Sequence, residues 1–289
     1  MKRKTAVRVG VAFVLFLVFG FIGRSQMVKM RARFEGRHPE LDVMTERPSD
    51  VALAYESFAA TNPEGTRIAG WWLPAHSPAG SIIMVHGFGQ NKSVMLGRAA
   101  TLVGAGFNVA LIDLRARGES GGDRADMGPG AAYDVLAAAD ALLASRRHTD
   151  LPLVAYGFSH GARVVLFAAV QAPRQFAAII AEAPPFSLRE GLRRQTGLPW
   201  VPAMPEGDLP GSFATLRDRP ILLLLGDADP EISDAQARSL LAGNLQVASG
   251  IHVFANTGHG VFSTQTREEY RNTIASFLAR ALMRREAAR

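Results

Sequence analysis

Two glycines bracket a serine in the stretch Gly157-Phe158-Ser159-His160-Gly161, which follows an apolar run at 153–155 and leads into an apolar helical pattern at 161–172. A strand that turns into a helix this abruptly has few possible shapes. The residue at the apex is held in a strained conformation, so neighbouring side chains must be absent, and glycines two positions away on each side supply that space. The turn exposes the Ser159 hydroxyl at the carboxyl end of a sheet. It also aims the helix N-terminus at any negative charge that develops there.

The surrounding pattern supplies such a sheet. Short apolar runs at 81–85, 107–112, 153–155, 177–180 and 220–225 are each followed by turn residues and, in most cases, by a helical pattern. Strands this apolar are buried on both faces, as in a parallel sheet covered by helices. The spacing predicts helices at 93–105, 131–145, 161–172, 233–242 and 267–285. In the last, Tyr270, Ile274, Phe277, Leu278 and Leu282 share one face. Ahead of them, 51–58 and 66–73 alternate in polarity around an Asn62-Pro63-Glu64-Gly65 turn and read as antiparallel edge strands. The 289 residues, 48% apolar, suffice for one substantial core. The proline-containing stretch 183–219 breaks the rhythm and reads as a short lid or cap.

The amino terminus reads differently. Lys2, Arg3, Lys4 and Arg8 precede an uninterrupted apolar run at 9–23 without a small-residue cleavage site, the layout of an uncleaved signal anchor. The expected organisation is therefore an anchor at 1–24, a linker or extended lead-in at 25–49 and a globular region at 50–289. A globular region outside the cytoplasm, tethered to the membrane, is the expected topology, with secretion after cleavage as the alternative. The net charge of +6 owes much to the first 40 residues. No nucleic-acid motif accompanies that charge, so nucleic acid is not an expected partner. The chain lacks cysteine, which excludes disulfides and thiolate chemistry.

Serine chemistry needs a base to take the hydroxyl proton and an acid to fix the imidazole tautomer. Both follow in order. The apolar run 220–225 ends in Gly226-Asp227-Ala228-Asp229-Pro230, and a later apolar run leads to Gly258-His259-Gly260.

Together with His86-Gly87-Phe88-Gly89 and the Asp113–Ser120 stretch Asp-Leu-Arg-Ala-Arg-Gly-Glu-Ser, these landmarks resemble the α/β-hydrolase superfamily from about residue 66 to 284, especially its small esterases, lipases and serine-aminopeptidase-like members. The resemblance implies an α/β fold with a mostly parallel eight-stranded central sheet, helices on both faces and a short lid. It implies Ser159 as nucleophile, Asp229 as acid and His259 as base, with the backbone N–H groups of Phe88 and His160 as oxyanion-hole donors. Losing one such donor typically costs about 3 kcal/mol. Asp227 is the nearest rival for the acid and Glu182 a more distant one. Two positions depart from the family pattern: His160, where an aliphatic, Met or Gln residue is more usual, and Ala116, where Gly is common.

His86 is expected to hold its loop by hydrogen bonding. His38, His76, His148 and His252 lack ligand spacing, so neither a metal nor another cofactor is expected. Phe158, Phe186, Leu198 and Trp200 are candidates for an acyl pocket. The expected reaction is two-step hydrolysis of a small-molecule or lipid-like carboxylic ester. Amide or peptide hydrolysis, acyl transfer and a non-catalytic membrane-tethered scaffold are the alternatives.

Overall fold

The computed structural model describes residues 35–145, 151–187, 189, 209–232, 234–244 and 248–287. The chain divides into two units, 1–36 and 37–289, and the second contains the sheet and its helices. The apolar run at 9–23, the candidate anchor, lies outside the described residues. So do Leu198, Trp200 and most of the expected lid.

Eight strands form one sheet: β1 Glu56–Thr61, β2 Arg67–Leu73, β3 Gly80–Val85, β4 Phe107–Ile112, β5 Leu153–Phe158, β6 Ala178–Glu182, β7 Ile221–Gly226 and β8 Gly250–Phe254. Their spatial order is β1-β2-β4-β3-β5-β6-β7-β8. Pairing is antiparallel for β1 with β2 and for β2 with β4, and parallel from there on. Every residue of β3 to β7 is buried, which explains why their sequences are continuous apolar runs. The helices α1 Leu96–Gly104, α2 Ala132–Leu143, α3 His160–Gln171, α4 Asp234–Leu241 and α5 Arg267–Ala287 flank the sheet on both faces. Helices α1 and α5 meet one another, as do α2 and α3.

Two sequence expectations change. The first strand starts at Glu56, five residues later than expected. Pro48–Val51 instead forms a 3-10 turn, closed by Ala52 at φ +55. Proline at the start of a turn fixes the φ that the turn needs and leaves no N–H for a sheet ladder. Residues 37–49, read as a lead-in, also fold onto the sheet unit. Arg37 donates to the carbonyls of Gly118 and Ser120 and pairs with Asp42 at 2.8 Å, while Asn91 Nδ2 donates to the carbonyls of Leu41 and Val43.

Chain order along the sheet reverses at β3, whose neighbours are β4 on one side and β5 on the other. Loops leaving the carboxyl ends of two strands diverge at such a switch point and open a crevice between them. Residues 86–89 leave β3 there and Ser159 leaves β5, with Val85 opposite Gly157 in the ladder.

Candidate active site

Ser159 has φ +51 and ψ −120, a conformation that costs an L-residue energy and persists only where its surroundings enforce it. The enforcement is visible. A methyl carbon on Gly157 would lie 2.2 Å from the Gly161 carbonyl oxygen, and one on Gly161 would lie 2.4 Å from the carbonyl oxygens of Val85 and His86. Helix α3 can therefore start hard against β5 and β3 only because both positions are glycine. The Ser159 N–H donates to the Glu182 carbonyl at 2.8 Å, tying the turn to β6.

The hydroxyl oxygen of Ser159 lies 2.8 Å from His259 Nε2, and His259 Nδ1 lies 2.9 Å from Asp229 Oδ2. With a carboxylate facing Nδ1, that nitrogen carries the proton, which leaves Nε2 to accept from the serine. The Asp229 side chain is fully buried, and its other oxygen accepts the N–H groups of Glu231 and Ile232 at 2.8 and 3.2 Å. Both lone-pair directions of the carboxylate are thereby fixed. Burial works to lower the His259 pKa, but the hydrogen bond and charge of Asp229, helped by Glu231 and Glu182, outweigh it and raise the value above 6.5.

Asp227, the rival acid, faces elsewhere. Its Oδ1 accepts the Thr257 N–H at 3.2 Å and its own N–H donates to Phe254, so it laces the β7 loop to the β8 loop. Glu182 does not reach the imidazole either. It is completely buried and pairs with Arg98.

The loop after β3 is held through His86, which is fully buried. Its Nδ1 is 2.8 Å from the Gly87 carbonyl, and its Nε2 is 3.1 Å from the Leu114 N–H. That pattern requires the neutral ring, and burial lowers its pKa accordingly. The His160 N–H belongs to the first turn of α3, where helix geometry provides no carbonyl for it. The His160 side chain is buried edge-on to Phe88, with ring centroids 6.4 Å apart. Burial, aided by the charge of Arg163, pushes its pKa down to about 3, so the ring is neutral at working pH. Phe88, His160, His86, Leu114, Arg117 and Met127 line a small cleft beside the loop after β3.

The candidate acyl residues fare differently. Phe158 is buried with its ring 4.7 Å from the Arg98 guanidinium and 5.5 Å from the His259 ring, so it packs between the two. Phe186 joins the core, and its carbonyl accepts from the Arg163 guanidinium at 3.0 Å. Neither lines the cleft, because an aromatic ring adjoining the buried ends of β5 and β6 gains more from packing than from facing solvent. Ala116 takes φ +57, a backbone region that glycine enters without penalty, which explains why Gly is common at this position and means that the alanine bears a small conformational cost. Among the described residues, no group of three His, Asp or Glu side chains is placed to hold a metal ion.

Residues 76–205 match the family described as serine aminopeptidase, S33. That span contains the loop after β3 and Ser159 and ends before Asp229 and His259. A Bacillus subtilis protein named YqkD, itself uncharacterized, is 24% identical over 81% of this chain and 84% of its own length. Among solved structures, the Pyrococcus furiosus esterase Pf2001 superimposes with a TM-score of 0.72 at 20% identity, covering 82% of this chain and 95% of the esterase. The α/β hydrolase GrgF from a Penicillium species gives 0.66 at 19% identity, covering 79% of this chain and 99% of its own. Sheet order, serine turn and superposition together give this chain the α/β-hydrolase fold, with a resemblance to serine aminopeptidases of family S33.

Proposed function

We propose that the protein is a serine hydrolase that cleaves carboxylic esters through an acyl-enzyme intermediate. The observation that carries this reading is the continuous hydrogen-bonded chain Ser159–His259–Asp229, with 2.8 and 2.9 Å links. Ser159 attacks the ester carbonyl as His259 takes its proton, and the imidazolium is stabilised by the buried Asp229. The tetrahedral oxyanion is met by the backbone N–H groups of Phe88 and His160. The imidazolium returns its proton to the leaving alcohol. Water then repeats the sequence on the acyl-serine, with His259 as its base. A scaffold has no use for such a relay, so the catalytic reading takes precedence over the scaffold alternative.

The finer substrate class comes from the amino terminus. The basic cluster and apolar run at 1–24 support membrane anchoring, and a membrane-tethered site outside the cytoplasm favours lipid-like esters. Accessibility of the catalytic region to protease in sealed cells tests that topology; protection would sink it.

Turnover of p-nitrophenyl esters from acetate to palmitate by the full chain, beside Ser159→Ala, tests the reaction. Serine-dependent hydrolysis with a preferred chain length is the expected result. A p-nitroanilide substrate belongs in the same series, because the matching family is described as a peptidase family. Amide cleavage faster than ester cleavage would replace the esterase reading.

A further inference from the structure

Glu182 ends β6, in the ladder between the strand that leads to Ser159 and the strand that leads to Asp229. It takes no part in the proton relay, yet it touches both halves of it. Its main-chain carbonyl accepts the Ser159 N–H at 2.8 Å. Its side-chain Oε1 accepts the N–H of Val261 at 2.9 Å, two residues beyond His259.

The carboxylate is itself clamped. Arg98 donates to it from Nε and from a terminal nitrogen at 2.8 and 2.5 Å. The Tyr156 hydroxyl donates to Oε2, and the Tyr270 hydroxyl donates to Tyr156 at 3.1 Å. All of these groups are buried. Burying an ion pair seldom stabilises a fold more than apolar packing of the same volume would, so stability gives little reason to keep one here.

We infer that Glu182 is a positioning residue: its main chain fixes the serine turn and its carboxylate fixes the His259 loop, so that nucleophile and base are set against one reference point. The inference rests on the hydrolase reading above. The main-chain bond survives any substitution, so the adjustable half is the carboxylate's grip on Val261. Val261 is completely buried, and without an acceptor its N–H pulls the loop toward another partner. A displacement of about 1 Å at a reacting group costs on the order of 100-fold in rate.

The test compares two charge-balanced double variants of the full chain with the unmodified protein. Glu182→Leu with Arg98→Met removes the acceptor, and Glu182→Gln with Arg98→Met keeps a carbonyl oxygen for Val261. Fluorophosphonate labelling of Ser159 and steady-state ester hydrolysis are measured for each, with folding checked by thermal melting. The Leu/Met protein is expected to lose roughly 10- to 100-fold in kcat and in labelling rate while KM changes little, and the Gln/Met protein to stay within about threefold of the unmodified enzyme. A folded Leu/Met protein with unchanged kcat overturns the inference. So does a folded Gln/Met protein that loses more than about tenfold, and that arm decides the matter if Leu/Met does not fold. Absence of labelling in the unmodified chain overturns the hydrolase reading itself, and this inference with it.

Discussion

The carboxylate of Asp229 faces His259 with one oxygen, 2.9 Å from Nδ1, and two backbone N–H groups with the other, whereas Asp227 in the same loop grips Thr257. Two aspartates two positions apart thus serve different ends. Asp229→Asn is expected to reduce kcat by about 10³–10⁴-fold, because an amide facing Nδ1 favours the wrong tautomer. Asp227→Ala is expected to cost less than about tenfold, through a loosened loop. Steady-state kinetics on both variants decides, and equal losses would reassign the acid.

The pH profile should carry one histidine on its acid side. His259 must be neutral to act, and its pKa is raised, so kcat/KM is expected to fall with a midpoint above 6.5 as pH decreases. The stability linkage has the opposite sense. A raised folded-state pKa contributes stability that is full below the unfolded value and is lost as pH rises through the folded one. His160 and His86, both held neutral by burial, add no second limb above pH 6.5. A kcat/KM profile with its midpoint below 6.5 would contradict this account.

Gly161→Ala is expected to damage the fold together with the site. The added carbon meets two main-chain oxygens at 2.4 Å, and neither can move without shifting β3. A loss of about 1–3 kcal/mol is expected from urea unfolding, with slower fluorophosphonate labelling. Unchanged stability would mean that α3 can move away from β3 at little cost.

Arg98→Ala leaves the Glu182 charge buried without its partner. Burial alone would raise the Glu182 pKa, and Arg98, together with the hydrogen bonds from Tyr156 and Val261, more than offsets that and lowers it. A depressed carboxylate contributes stability above its unfolded pKa that is lost as pH falls through the folded value. The substitution is therefore expected to cost about 3–5 kcal/mol at neutral pH, and less in acid, where the carboxyl is protonated. Urea unfolding at two pH values measures both.

Much of this architecture is legible in the amino-acid sequence. The five inner strands stand out because complete burial leaves little room for a polar residue. Ser159 stands out because its turn tolerates only glycine at 157 and 161. His259 and Asp229 emerge from their order after two apolar runs. The Glu182–Arg98 pair is not legible, because the two residues lie 84 apart in sequence and leave no local pattern. The start of β1 is hidden because Pro48 and the left-handed Ala52 outweigh the alternation around them. Phe158 and Phe186 mislead for a related reason: an aromatic beside a catalytic residue has the same letter whether it lines a cavity or fills the core.

Strand β8 closes one side of the sheet, pairing among the described residues with β7 alone, and four of its five residues retain some exposure. The loop it feeds delivers His259, while Ser159 leaves a fully buried inner strand. Catalytic competence therefore depends on one of the most weakly protected segments of the sheet. Sub-global opening that peels β8 away would disarm the enzyme while the nucleophile's own scaffold stayed intact, which makes loss of activity an earlier event than loss of structure.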